Sequence, residues 1–351
     1  MFKKILEEFN VQNVIECVPF GSGHINSTYK VVCENKKYIL QKINTVAFKE
    51  PEKIMFNIGK VSEHLKTKVD NKNQILNFLK AKSGEFYHID ENGDFWRAYE
   101  YIDSCSGVDS PTDEEFYECA KAFGNFQSML SDFDAKVLYE TIPDFHNTPK
   151  RYENFCLAVK EDVCDRVKNV KKEIEFVHKY KPFYDVLINA NKQGVLPTRV
   201  SHNDTKSNNV LLDDKTKRAV CVIDLDTIMP GFSVTDFGDA IRFGANTASE
   251  DEKDLSKVKF DKSKFEIFAK GFIKGCDNKL ELDEILLMPE GAKMMTLECG
   301  MRFLTDYLQG DVYFRTAYPE HNLVRCRTQF KLVEEMDKNW DKMKEIVKKY
   351  C

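Results

Sequence analysis

A histidine, an asparagine and three carboxylates fall close together between residues 202 and 226: His202, Asp204, Asn209, Asp224 and Asp226. They sit in the run Val200-Ser-His202-Asn-Asp204-Thr-Lys-Ser-Asn-Asn209-Val-Leu-Leu212, followed by Val220-Cys-Val-Ile-Asp224-Leu-Asp226. The run Asn209–Leu212 reads as a strand, Asp213-Asp-Lys-Thr-Lys217 as a turn and Ala219–Leu225 as the returning strand. Antiparallel pairing would then set Asn209, at the start of one strand, beside Asp224, at the end of the next. An amide oxygen and carboxylates converging on one point suit a hard cation such as Mg2+. Asp226, two residues on along the strand, points to the side of Asp224 and is expected as an auxiliary ligand. Asp204 lies on the loop that feeds the hairpin, five residues before Asn209. From there it can accept a proton from a hydroxyl attacking a metal-bound phosphate.

The elements that must position these groups can be read from periodicity. Val14–Pro19, Thr28–Cys33, Tyr38–Ile43, Phe86–Asp90 and Phe95–Ile102 have strand composition and are separated by turn-forming residues. Pro51 opens a helix whose apolar positions Ile54, Ile58, Val61 and Leu65 recur at helical spacing. From Pro111-Thr-Asp-Glu-Glu, a capped start, the chain turns helical, with Phe116, Ala120, Phe123 and Leu130 on one face. Residues 150–190 and those beyond Pro230 also read as helical, and Phe330–Lys349 as a packed terminal helix. A β-rich first part and a helix-rich second part predict an α+β chain of two lobes, residues 1–103 and 104–351.

Composition sets the outer bounds. At 351 residues, roughly 150 per domain, the chain suits about two domains. Apolar residues make up 42% and charged residues 31%, with only 16 Gly and 10 Pro, which excludes collagen-like and disordered classes. A net charge of −5 gives no whole-chain basic footprint for nucleic acid. The 11 cysteines are odd in number and never spaced as C-x-x-C, so neither a zinc site nor a disulfide framework is expected. Scattered thiols, no secretory leader in Met1–Phe9 and no apolar run long enough to span a membrane predict a cytoplasmic protein without a membrane partner.

His202-x-Asp204-x-x-x-x-Asn209 with the Ile-Asp224 strand end resembles the catalytic core of the aminoglycoside phosphotransferase and choline kinase superfamily. These are small-molecule relatives of protein kinases. The resemblance implies a bilobal protein-kinase-like fold, with a small β-rich N-terminal nucleotide lobe and a larger, mainly helical C-terminal lobe. It implies ATP and Mg2+, with Asp204 as catalytic base and Asn209 and Asp224 as metal ligands. The segments His202–Asn209, Ile223–Gly231, Asp236–Gly244 and Gly300–Phe314 are similar to the N-acetylhexosamine 1-kinase branch. That implies a sugar acceptor, N-acetylglucosamine or N-acetylgalactosamine, phosphorylated at its anomeric hydroxyl. Kinases of choline, aminoglycosides or homoserine form the alternative within the superfamily.

Within that frame, Gly21-Ser22-Gly23 between two strands can turn backbone N–H groups toward phosphate oxygens. His24 and Asn26, at the tip of the same loop, are candidates for reaching substrate. The third strand of such a lobe normally carries a cation for the nucleotide phosphates. Gln41 occupies the expected position, and the adjacent Lys42 is taken as the candidate. Glu100 and Ile102 fall where the superfamily passes the adenine. For the sugar, Pro143–Pro149 supplies His146, and the helix around Met301–Tyr307 supplies Arg302 and Asp306, four residues apart on one face. Asp236-Phe-Gly238 spells the protein-kinase metal motif but runs into a helical pattern, so Asp236 is expected to cap that helix.

Overall fold

The computed structural model describes residues 2–21 and 25–351. An opening helix, α1 (Phe2–Glu8), precedes an antiparallel sheet of five strands ordered β1-β2-β3-β5-β4. These are β1 (Val14–Pro19), β2 (Ser27–Cys33), β3 (Lys37–Lys42), β4 (His88–Ile89) and β5 (Phe95–Glu100). All five expected strands are present, but β4 is only two residues long. Between β3 and β4 runs α2 (Pro51–Lys66), which begins at its proline and buries Ile54, Ile58, Val61 and Leu65.

The sheet's two faces have different partners, because side chains alternate along a strand. Leu40, Trp96 and Ala98 face one way and share a core with Ile5 and Leu6 of α1 and with Phe9 just after it. The opposite face carries Thr28, Gln41 and Arg97, which are successive register partners across β2, β3 and β5. That second face looks toward α2 and the rest of the chain, as the contacts of Arg97 with Met55 and Asp226 establish.

The C-terminal lobe starts with β6 (Cys105–Ser106), which joins β8 (Val210–Asp213) and β9 (Ala219–Val222) in a three-stranded sheet. Strands β7 (Arg199–Ser201) and β10 (Met229–Gly231) pair separately. Periodicity missed β6, β7 and β10, each only two or three residues long. Around them pack α3 (Asp113–Met129), α4 (Thr148–Glu161), α5 (Lys171–Lys179), α6 (Val186–Lys192), α7 (Ser233–Gly244) and α8 (Lys262–Gly275). The chain ends with α9 (Leu282–Leu286), α10 (Met288–Leu308), α11 (His321–Lys338) and α12 (Trp340–Lys348). The expected terminal helix is thus two, broken at Asn339. The start of α3 is as expected: Thr112 and Glu115 form a reciprocal capping box.

The lobes share a core. Ile54 and Ile58 of α2 belong to the same buried cluster as Phe78 and Phe95 of the first lobe and Val200, Leu225 and Ile228 of the second. Within it Asn57 is fully buried, donating to the Tyr139 and Ile228 carbonyls and accepting from the Tyr139 amide. Among the described residues no helix is long and apolar enough to cross a membrane.

In the second lobe α3 and α8 cross closely. A Cβ at Gly124 would lie 2.1 Å from the Phe272 carbonyl oxygen. Gly124→Ala should therefore destabilise by about 1–3 kcal/mol, although alanine is the better helix former by about 1 kcal/mol. A thermal melt followed by circular dichroism tests this, and an unchanged or raised midpoint would contradict the close crossing.

Candidate active site

The loop between β7 and β8 carries the reactive side chains, and its irregular backbone needs partners outside any ladder. Asn203 sits at φ 63°, in the left-handed region. Two carboxylates of α7 supply acceptors. Asp236 takes the amides of His202 at 2.9 Å and Asn203 at 2.8 Å and the Gln127 side-chain amide at 2.8 Å. Asp239 takes the Thr205 amide at 3.1 Å. The Thr205 hydroxyl donates to the Asp236 carbonyl and the Thr227 hydroxyl to the His202 carbonyl. His202 accepts from the Asp204 amide on Nδ1 and donates from Nε2 to the Ile223 carbonyl, which selects one neutral tautomer.

Asp236 is accordingly not a cap for its own helix. α7 starts at Ser233, and the Asp236 carboxylate, wholly buried, turns away from the helix end to hold the loop. Burial raises its pKa above the ordinary carboxylate range, against the pull of the donors around it.

Asp204 is partly buried and ion-paired with Lys206, Oδ1 to Nζ 3.1 Å. Burial works against the charge on Lys206, but Asp204 and Asp239 hold its pKa above the usual value. Asn209 donates its side-chain amide to the Asp204 carbonyl at 2.8 Å and carboxylate at 3.1 Å, so its Oδ1 is the atom left for a cation. The Ile223 amide donates to the Asn209 carbonyl, which places Asn209 beside the segment leading into Asp224. Asn209 is the last residue of a short 3-10 turn, Ser207–Asn209, rather than the first of a strand. Strand β9 likewise ends at Val222, so Asp224 lies beyond the ladder, at φ 59°.

The strand-alternation argument for Asp226 therefore fails, because Leu225–Thr227 is a 3-10 turn. Asp226 is buried, with Arg97 on Oδ1 and the Asn26 side-chain amide, 2.7 Å away, on Oδ2. Asp224 is open to water yet crowded by protein. That crowding, then Asp226 and Asp204 nearby, pushes its pKa up to about 6. Excess negative charge at this point fits a divalent cation, with Asn209 Oδ1 and Asp224 as donors and phosphate oxygens completing the shell. Among the described residues no three His, Cys, Asp or Glu side chains form a metal cluster by themselves.

In the first lobe, Gly21 has φ 80°, whereas Ser22, Gly23 and His24 lie outside the described residues. Asn26 does not stand free at a loop tip. It accepts the Asn44 amide and donates to Asp226. Lys42 is turned away from Asp226, onto the sheet face that packs on α1, and pairs with Asp94. The cation facing the cleft is instead Arg97, which sequence reasoning missed. Its signal was an arginine at the centre of an otherwise apolar and aromatic strand. Glu100 commits its amide to the Asn77 carbonyl and its side chain to Lys36 and Lys72. Ile102 is buried, and among the described residues its amide has no acceptor.

His146 and Arg302 both lie near Glu298, a residue the sequence did not single out. His146 Nδ1 meets the buried Glu298 carboxylate at 2.9 Å, leaving Nε2 buried without a partner among the described residues. Arg302 stacks near Phe145, Tyr313 and Phe314, and Arg151 lies close enough for the two guanidinium groups to repel. Asp306 does not join them. It is buried and accepts the amides of Val312, Tyr313 and Phe314 and the Asn322 side chain, so it shapes a loop and has no place for a substrate. A hollow of about 270 Å³ lined by Leu65, Leu76, Phe126 and Cys221 contains none of these groups.

The family model described as phosphotransferase enzyme family matches residues 16–257. The chain belongs to that family. An aminopropanol kinase associated with a microcompartment has TM-score 0.65 at 14% identity, with 98% of each chain covered. An aminoglycoside phosphotransferase from Alicyclobacillus acidocaldarius has TM-score 0.66 at 10% identity, covering 99% of this chain and 96% of that one. A choline kinase from Cryptosporidium parvum has TM-score 0.56 at 13% identity, covering 94% and 91%. At such identities the likeness is one of fold, and it gives the phosphotransferase the bilobal kinase-like architecture.

If Asp236 anchors the loop, Asp236→Ala strands at least two buried amides. It should cost about 3 kcal/mol or more of stability without ligand, at about 1–3 kcal/mol per orphaned donor. Urea unfolding measures this. Unchanged apo stability together with lost Mg2+ binding would instead make Asp236 the metal ligand.

Proposed function

We propose that this phosphotransferase moves the γ-phosphoryl group of ATP to the anomeric (1-) hydroxyl of an N-acetylhexosamine, giving the sugar 1-phosphate. The observation that carries the reading is the meeting of Asp204, Asn209 and Asp224 at one end of the β8–β9 hairpin. Asp204 orients the acceptor hydroxyl and takes its proton. Its ion pair with Lys206, 3.1 Å between Oδ1 and Nζ, helps hold the carboxylate in place. Asn209 and Asp224 are the residues that would hold Mg2+, which when bound neutralises charge on the β- and γ-phosphates. Phosphoryl transfer asks mainly for in-line placement and electrostatic stabilisation, and a loop pinned by α7 at His202, Asn203 and Thr205 supplies the placement.

The nucleotide would lie between Gly21 on one side and Ile102 on the other, whose amide, without an acceptor among the described residues, is suited to the adenine edge. The division between lobes is proposed at residues 103 and 104. Tyr101 still bonds to Lys37 of the first sheet, whereas Cys105 pairs with Asp213 of the second.

The acceptor reading draws on His146, Arg302 and their aromatic surround. The unpartnered His146 Nε2 and the Arg302 guanidinium beside Phe145 and Tyr313 offer polar contacts against an aromatic wall, which is the chemistry of a sugar site. Some fold relatives are kinases of cationic amino alcohols by name. Two neighbouring arginines disfavour an ammonium here, and the nearby Glu298 is already engaged by His146 and Thr148.

A screen over N-acetylhexosamines, neutral hexoses and amino alcohols, with phosphorus NMR of the product, tests the acceptor. The expected product is an acid-labile anomeric phosphate, and an acid-stable phosphate on choline or another alcohol would replace the sugar reading. Asp204→Asn should lower turnover by about a hundredfold or more, while Mg-ATP affinity stays within about threefold. Near-normal turnover in that variant would remove Asp204 as the base.

A further inference from the structure

Both lysines of strand β3 are committed elsewhere: Lys37, at its far end, pairs with Asp103, and Lys42 sits on the opposite face against Asp94, so the residue facing the cleft opposite Arg97 is Gln41. We propose that Arg97, on the neighbouring strand β5, grips the nucleotide phosphates in place of a β3 lysine, with Gln41 and Asp226 as its positioning residues. The proposal rests on the phosphotransferase reading above and assigns the cation of that same site.

Register makes the exchange possible. Gln41 and Arg97 are direct antiparallel partners, so a side chain at either position emerges at nearly the same place on the same face. Arg97 is 3% exposed, an arrangement rare for arginine without a fixed partner. Its Nε donates to Gln41 Oε1 at 2.9 Å and its Nη1 to Asp226. Gln41 is itself steadied by donating to the Thr28 hydroxyl at 3.0 Å. Two edges of the guanidinium are therefore fixed, and among the described residues Nη2 has no acceptor.

The surroundings give that remaining edge a direction. Arg97 lies close enough to Asp224 for their charges to interact, and Asn26, at the end of the glycine-bearing loop, reaches the second oxygen of Asp226. Phosphates lying between that loop and Asp224 would pass the guanidinium. A planar fork already held on two sides offers N–H donors to phosphate oxygens with little ordering cost, which a flexible lysine does not. Asp226 is thus a positioning residue for the cation. That role accounts for both of its oxygens, which the auxiliary-ligand expectation does not.

The test compares binding of Mg-ADP with binding of adenosine, which lacks phosphates, by calorimetry. Arg97→Met alone leaves Asp226 buried and unpaired, so Arg97→Met/Asp226→Asn is measured with it to keep the fold. In both variants the preference for Mg-ADP over adenosine should shrink at least tenfold, with adenosine affinity within about threefold of wild type. Adding Gln41→Lys to Arg97→Met should recover part of the preference, which a purely structural role for Arg97 would not produce. A preference that survives loss of Arg97, or collapses in Lys42→Met instead, overturns the assignment and leaves the phosphotransferase reading standing. A wild-type protein with no preference for Mg-ADP overturns both.

Discussion

A loop that presents reactive side chains to a cleft cannot also satisfy its backbone in a ladder, and this conflict organises the molecule. The answer here is two buried carboxylates on α7, Asp236 and Asp239, which take the amides of His202, Asn203 and Thr205. Burying an ionised carboxylate is unfavourable unless donors surround it, and leaving an amide orphaned is unfavourable too. Each group cancels the other's penalty, so helix and loop are stable only together. The packing of α7 against α10 then becomes part of the site. Gly238 lets the Gly291 backbone approach so closely that a Cβ would lie 2.4 Å from its carbonyl oxygen.

Charge in the cleft follows a second economy. Asp204 and Asp226 lie close enough to Asp224 to oppose its ionisation, and each has its own cation, Lys206 for Asp204 and Arg97 for Asp226. Asp224 has no such partner among the described residues and is the carboxyl pushed upward. The residue most in need of a positive charge is thus the one best placed to receive it from a ligand.

Much of this was legible in the sequence, for identifiable reasons. Strands β1, β2, β3 and β5 and helix α2 follow local alternation and helical spacing, and the capping box of Thr112 and Glu115 is written in four residues. The spacing from His202 to Asn209 and the following Ile-Asp carried the family before any coordinates did. What escaped depends on pairing across distance. Arg97 stands out beside its apolar neighbours in β5, but its role shows only opposite Gln41 and beside Asp226, which is 129 residues away. Glu298 needs His146 from the turn before α4, 152 residues earlier. Asp226 and Asp306 share a reason for escaping: local periodicity does not show which groups claim their oxygens, and these are Arg97 and Asn26 at Asp226 and the amides of Val312, Tyr313 and Phe314 at Asp306.

The shared core beneath the cleft bears on how this fold can be taken apart. Asn57 of α2 completes its hydrogen bonds only with Tyr139 and Ile228, and the apolar face of the same helix is covered by residues from both lobes. By chain order α2 belongs to the nucleotide lobe, but by its contacts it serves equally as a wall of the other. A recombinant exchange of lobes between relatives, cut at the linker, would separate Asn57 from both carbonyls and expose that apolar face. The transferable module is consequently the five-stranded sheet with α1, and α2 must be matched to whichever C-terminal half it is given.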